Sequence, residues 1–330
     1  MIKYNTPQEL FTAICDKIRD KTNSNELINH QDIPDKIDNL VDSGIINEYN
    51  ELLSMINQNN TIIELNNNEI EDINICFIEC TSLTTIDLPK CTSIVDNVFR
   101  DCTNLTTVNL PKCTSIGNYA FNNCTSLTTI NLPKCTSIGE HAFKGCTGLT
   151  TINLLECTYI KSEAFDTCTN LTTVNLPKCT YIGHIAFSCC AGLTTVNLPK
   201  CTYICEGAFR CCENLTTINL PECTYIEDYA FSTCTNLTTV NLPKCTEIEY
   251  YAFNTCTNLT TIIFGADQVA YIDTGVFDNT PIAKGTGYVY VPDNLVDSYK
   301  TANSWSRYYA NQIKPISELP SELKEEYNYL

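Results

Sequence analysis

Leu127-Thr128-Thr129-Ile130-Asn131-Leu132-Pro133-Lys134-Cys135-Thr136-Ser137-Ile138-Gly139-Glu140-His141-Ala142-Phe143-Lys144-Gly145-Cys146 is one copy of a line repeated almost letter for letter from Leu83 to Cys256. Its anchoring leucines, Leu83, Leu105, Leu127, Leu149, Leu171, Leu193, Leu215, Leu237 and Leu259, follow one another every 22 residues. A fixed period of this length predicts a solenoid, in which each unit buries its apolar face only against its neighbours. Alternation places Ile130 and Leu132 inward and Thr129 and Asn131 outward, as in a short half-buried strand. Stacked copies then make a parallel sheet with one polar face. Pro133 stops the strand, and Cys135 and Ile138 re-enter the core. The segment around Ala142-Phe143 is expected as a one- to two-turn helix or a tight turn on the opposite side. Burying the larger inward side chains contributes roughly 1.5–3 kcal/mol each, ample once several coils stack.

Outward from the repeat, both ends change character. Residues 1–57 read as a helical module: Thr6-Pro7 caps a first helix with Leu10, Phe11, Ile14 and Ile18 on one stripe, and Asp32 caps a second. A degenerate coil follows, with Ile63-x-Leu65 standing for Ile86-x-Leu88 and Phe77-x-x-Cys80 for Phe99-x-x-Cys102. The solenoid spans residues 58–292. Its last coil is lengthened around Gly265-Ala266-Asp267, and Gly287–Pro292 is expected to close the sheet. Residues 293–330 form a helical cap, in which Trp305, Tyr308 and Tyr309 cover the last coil, followed by an acidic tail from Ser321 that is expected to fray.

The 22 cysteines suggest a secreted disulfide scaffold until their positions are compared. One column is Cys91, Cys113, Cys135, Cys157, Cys179, Cys201, Cys223 and Cys245; another runs from Cys80 to Cys256 at the same period. A position filled identically in every coil is a packing position, and free cysteine behaves there as a small hydrophobe. Neighbouring coils ~4.8 Å apart also leave stacked cysteines within reach of disulfide geometry. A spacing of 11 residues fits no zinc pattern. Cys189 and Cys211 stand off both columns, one coil apart, and are the thiols to examine for a disulfide.

The formal net charge of −18 opposes a nucleic-acid partner, which needs clustered Lys and Arg. Residues 1–79 carry 15 acids against 5 bases and the block 80–258 carries 14 against 10, so the array itself is only mildly acidic. No apolar run approaches the ~20 residues of a membrane span, and the charged N-terminus lacks the pattern of a signal peptide. The expectation is synthesis in a cytoplasm without membrane insertion, and a virion or cell-surface location if the protein is an adhesin or phage component. No nucleophile elbow, zinc-protease helix or phosphate loop is present, so a non-enzymatic protein without a cofactor is expected.

The L-x-x-I-x-L-P and I-x-x-x-A-F-x-x-C elements resemble the BspA-like class of bacterial leucine-rich repeats, over about 200 of the 330 residues. That resemblance implies an α/β solenoid with a curved parallel sheet on one face, short helices or turns on the other, and helical caps. It implies a binding or adhesion role toward a bacterial surface glycan or protein. Residues 1–57 resemble a module of phage and prophage structural proteins from Gram-positive gut bacteria, which implies attachment to virion proteins and hence a phage or prophage virion accessory, with a bacterial surface adhesin or an intracellular protein-interaction scaffold as the alternatives. Leu155 in place of the proline and Val98 in place of the alanine depart from the pattern.

Two regions are candidates for recognition. The outward columns, including Thr129, Asn131, Thr151, Asn153, Thr173 and Asn175, suit a repetitive ligand such as a glycan, or else are a soluble strand-favouring surface. The three residues before Ala-Phe change from coil to coil, and recognising a non-repetitive partner needs non-repeating residues. There Tyr229, Tyr250 and Tyr251, with Tyr203 and Tyr225 from the C-T-Y-I position, form the candidate patch, since tyrosine is enriched at interfaces. Relaxed constraint on a solvent face is the competing explanation.

Overall fold

The computed structural model describes residues 63–66, 77–306 and 309–329. The helical module expected over residues 1–57, and Tyr308, lie outside the described residues.

Each coil is a three-cornered loop whose corners are hydrogen-bonded to the coils before and after. At the first corner lies the expected short strand, as in Thr129–Asn131, Thr151–Asn153 and Thr173–Asn175, and all these strands pair in parallel. Equivalent residues meet in register, Thr173 beside Thr195 and Asn175 beside Asn197. This row divides into runs of four, three and five strands, with interruptions between Asn131 and Thr151 and between Asn197 and Thr217. Ile130 and Val196, the inward residues of the strands just before these interruptions, are half-buried, whereas their equivalents Val108, Ile152, Val174 and Ile218 are buried.

A second corner was not anticipated. Two-residue strands from Ser93–Ile94 to Tyr271–Ile272 form an unbroken nine-stranded parallel ladder. Its isoleucines point into the core, and its Ser or Tyr residues point outward.

The third corner, around Ala-Phe, is a turn rather than a helix. Its amides bond to the next coil instead of along the segment: Phe121 N–H donates to Ala142 C=O and Phe143 N–H to Ala164 C=O, each at 2.8 Å. Two residues per coil sit in the left-handed region here, such as Tyr119 (φ 56°) with Asn123 (φ 57°) and Ile185 (φ 55°) with Cys189 (φ 55°). Bonding between coils satisfies the backbone that a helix would have satisfied internally.

The core is as periodic as the sequence. Phenylalanines from Phe77 to Phe253 stack ring on ring at 5.1 to 5.5 Å, and the lengthened last coil opens the next step, to Phe277, to 6.1 Å. Every cysteine among the described residues is a free thiol. In one column the thiol donates to a carbonyl two residues on, as from Cys113 to Ser115 at 3.2 Å; in the other it donates to a phenylalanine carbonyl of the preceding coil, as from Cys146 to Phe121 at 3.1 Å. Burial pushes the Cys113 and Cys157 thiols up to about 12, so these groups stay protonated and inert.

Three expectations about the ends need correction. Ile63 pairs with Leu83 and Leu65 with Ile86, not with Ile86 and Leu88, and the register shifts by one residue between Ile63 and Glu64. Strand Tyr288–Val291 does not close the sheet, since Ile313–Pro315 pairs with it in parallel. The acidic tail does not fray. After α1 (Val296–Thr301) and α2 (Asn303–Ser306), α3 (Ser321–Tyr327) folds back over the outward face of the last strands. There Leu319, Leu323, Tyr327 and Tyr329 pack with Ile263 and Tyr290. Its apolar residues were masked in the sequence by the acids between them. Trp305 is fully buried against Phe264 and Phe277, and its indole N–H donates to Ala270 C=O at 2.7 Å.

Candidate binding surface

The Thr/Asn face is built by the strand alternation, and its polar groups are largely engaged with one another. Asn131 donates its side-chain amide to Asn109 at 2.6 Å, Asn175 to Asn153 at 2.8 Å and Asn197 to Asn175 at 2.7 Å. The adjacent threonine column spends its hydroxyls on the preceding coil, as Thr128 does on Thr106 C=O at 3.1 Å. Thr129, Asn131, Thr151 and Asn153 are exposed, while Thr173 and Asn175 are half-buried. Toward the C-terminal end the face is closed. Thr239 and Asn241 are buried beneath the tail, and the Tyr329 hydroxyl lies 3.0 Å from Asn241 Oδ1. The lysine column beside this face is also partly paired: its two interruptions, Glu156 and Glu222, bind Lys178 and Lys244 of the following coils at 2.6 and 2.7 Å.

The tyrosines fall into two sets rather than one patch. Tyr203 and Tyr225 belong to a stack of four on the nine-stranded ladder, Tyr159, Tyr181, Tyr203 and Tyr225, with centroid spacings of 4.5, 5.5 and 5.0 Å. Tyr229, Tyr250 and Tyr251 form a separate group at the turn corner. Tyr229 and Tyr251 stack at 5.5 Å, and Tyr250 stands edge-on to Tyr251 at 4.2 Å. Tyr229 and Tyr251 occupy left-handed positions (φ 55° and 54°). The Tyr251 ring lies over Gly275, where a β-carbon would come within 2.3 Å of it. Only glycine leaves room for that ring.

Carboxylates join the two sets. The Tyr203 hydroxyl donates to Glu227 and that of Tyr225 to Glu249, so each acid ties the stack to the residues flanking the turn tyrosines. Asp228 in turn accepts the Tyr250 N–H at 2.9 Å. Burial, and then the neighbouring Glu249, hold the Glu247 carboxyl above its ordinary value. The hydrogen bond to Glu249 is the main cause that raises the Tyr225 hydroxyl. The result is an aromatic surface framed by Glu227, Asp228, Glu247 and Glu249, rich in hydrogen-bond acceptors and fixed in place by the coil backbone.

Two features escaped the sequence reading. Where later coils carry the tyrosine stack, earlier ones carry Ser93, Ser115 and Ser137, and a shallow groove of about 590 Å³ runs over them between Asp96, Asn118 and Lys161. The change from C-T-S-I to C-T-Y-I between Ser137 and Tyr159 was the available signal. Cys205 is a third off-column thiol among the described residues; it is buried and donates to the Tyr181 hydroxyl at 2.8 Å. Cys189 and Cys211 are half-buried at the second left-handed position of consecutive coils. Among the described residues, no group of three or more His, Cys, Asp or Glu is placed to hold a metal, and no helix is long and apolar enough to cross a membrane.

Comparison with known proteins places this geometry in context. The BspA type leucine rich repeat region matches residues 68–194 and 180–297. A leucine-rich repeat protein from Bacteroides ovatus ATCC 8483 is 19% identical, over 76% of this chain and 82% of that one, with a TM-score of 0.34. A leucine rich cell surface protein from Faecalibacterium prausnitzii A2-165 is 23% identical over 72% of this chain and 85% of its own, with a TM-score of 0.36. The leucine rich repeat protein of T. pallidum is 28% identical over 53% and 77%, with a TM-score of 0.39. No curated protein matches the chain.

Proposed function

The chain belongs to the BspA-type leucine-rich repeat family, and on that premise we propose that it is a non-enzymatic recognition protein of adhesin type. It binds a protein or glycan of a bacterial surface and acts outside the cell that makes it. The observation that carries this reading is the turn cluster Tyr229, Tyr250 and Tyr251, in which rings that the solvent reaches are held at fixed angles by left-handed backbone and by Gly275. Rigid aromatic side chains provide contact area at low conformational cost, which is why they dominate the energetics of interfaces. Glu227, Asp228 and Glu249 around them supply acceptors that orient a partner carrying N–H or O–H donors or positive charge.

The Thr/Asn face is the weaker candidate, because its amides are occupied by their neighbours and its far end lies under the tail. The virion alternative rests on residues 1–57 alone, and the family match over residues 68–297 adds nothing to it.

The test is binding of the purified chain to bacterial cells and to cell-wall glycan immobilised separately. Tyr229→Ser, Tyr250→Ser and Tyr251→Ser combined should weaken binding by at least about 30-fold, the equivalent of about 2 kcal/mol expected of an interface centre. Thr129→Ser with Thr151→Ser should leave it unchanged. Undiminished binding by the tyrosine variant, with its circular dichroism intact, sinks the assignment of this surface.

A further inference from the structure

The cysteines of the two columns share a description that Cys189 and Cys211 escape. Column thiols from Cys91 to Cys256 are fully buried, and their hydrogen bonds go to main-chain carbonyls: Cys190 to Phe165 and Cys212 to Phe187, each at 3.2 Å. Cys205 is likewise buried and bound to Tyr181. Cys189 and Cys211 are half-buried, and solvent reaches both.

They also sit where cysteine has no packing reason to be. Their position is left-handed in every coil (φ 55° and 60°), and other coils fill it with Asp101, Asn123, Gly145, Thr167, Thr233 or Thr255. Two consecutive coils carry cysteine instead. The turns that hold them are joined directly, with Cys189 N–H donating to Arg210 C=O at 2.8 Å. Positions stacked in register one coil apart have α-carbons ~4.8 Å from each other. That spacing lies inside the roughly 4.4–6.8 Å range of disulfide-bonded pairs.

We propose that Cys189 and Cys211 are a reversible redox pair that closes into a cross-coil disulfide by exchange with a small disulfide. In the first step one thiol, as its thiolate, attacks a sulfur of the small disulfide, forms a mixed disulfide and expels one small thiolate. In the second step the other cysteine attacks the protein sulfur of that bond and expels the second small thiolate. The net reaction converts two protein thiols and one small disulfide into one protein disulfide and two small thiols, and a reducing surrounding runs it backwards. Closure ties consecutive coils at a point where only turn hydrogen bonds otherwise join them. The covalent state of the array thereby follows the redox state of its surroundings, independently of what the tyrosine surface binds.

Burial, then the neighbouring Cys189, raise the Cys211 thiol, while Arg210 lowers it, so exchange should quicken as pH rises above neutral. The test is incubation of the full chain with oxidised glutathione at mildly alkaline pH, acid quenching, and non-reducing peptide mapping. The expected result is one linked peptide pair joining Cys189 to Cys211, with two fewer thiols in the denatured count of 22, restored by reductant. Cys211→Ser should stop at a stable glutathione adduct on Cys189, and Cys189→Ser at one on Cys211. A wild-type chain that keeps the adduct, links either residue to a column cysteine, or leaves both thiols unmodified while a free cysteine peptide oxidises overturns the proposal. The wild-type mapping decides alone if either variant misfolds.

Discussion

At the residue scale, the repeat line separates positions defined by side-chain chemistry from positions defined by backbone. Leu, Ile, Phe and Cys columns were legible because burial selects for residue type at a fixed phase. The left-handed positions were not, because Glu163, Thr167, Ile185, Tyr229 and Cys211 share no chemistry, only a φ near 60°. The hydrogen bonds between coils hold that backbone whatever the side chain. Ile185 is the costliest occupant, since a β-branched residue at φ 55° is a strong outlier. Ile185→Asn should therefore raise stability by about 0.5–1 kcal/mol, seen as a higher denaturant midpoint. A lower midpoint would mean that the Ile185 side chain, which lies over Gly207, contributes more than the backbone strain costs. Gly275→Ala acts the other way. The new β-carbon falls 2.3 Å from the Tyr251 ring at a φ of +71°, so a loss of about 1–3 kcal/mol is expected in chemical denaturation, with altered tyrosine near-ultraviolet dichroism.

At the scale of elements, pairs of coils are joined by side-chain ladders as well as by backbone. Lys144 links two coils, with Nζ 2.5 Å from Glu163 and 3.1 Å from Asp166; His141 Nδ1 lies 3.3 Å from the same Glu163. The Glu163 hydrogen bond is the main cause that raises the Lys144 ammonium, and burial is the main cause that raises the Asp166 carboxyl. The raised lysine stabilises the fold fully below its unfolded value of 10.5 and loses that contribution as pH climbs through the folded value. The raised Asp166 works against folding once ionised, and that cost is relieved as pH falls through its folded value toward 3.8. Lys144→Met strands two carboxylates. It should cost about 1–2 kcal/mol at neutral pH, less than for a wholly buried pair because Lys144 is partly exposed. The deficit should shrink on acidification, and thermal melts across pH would show it; a pH-independent deficit would assign the loss to packing. The sequence displayed Lys144, Glu163 and Asp166 as scattered surface charges, because a separation of 19 or 22 residues becomes contact only when coils stack.

At the scale of the molecule, the C-terminal end of the solenoid is closed by the chain's own last residues. The last coil is covered by Trp305, Tyr299 and Tyr309, and α3 lies across the outward face instead of trailing into solvent. Truncation after Pro315 should expose Ile263, Tyr290 and Asn241 and leave Ile313–Pro315 as an unshielded edge strand. Self-association in sedimentation and increased binding of a hydrophobic dye are expected, since exposed edges and apolar patches promote pairing. A monomeric truncated chain with an unchanged melt would reduce the tail to a loose attachment. The two interruptions of the Thr/Asn sheet also belong to this scale: nothing in the nearly identical coils foretold that pairing lapses after Asn131 and after Asn197.

The sequence by itself determined the solenoid, its 22-residue coil, the inward and outward assignment of the strand and the packing role of the cysteine columns. Periodicity encodes these, because burial demands the same residue at the same phase in every coil. Only the tertiary structure decided the second ladder, the left-handed turns, the division of the tyrosines into two sets and the folding back of the tail. Each of these arises from bonds between residues of different coils, or between the array and its end. The free energy of such bonds resides in stacking geometry, to which no single coil has access.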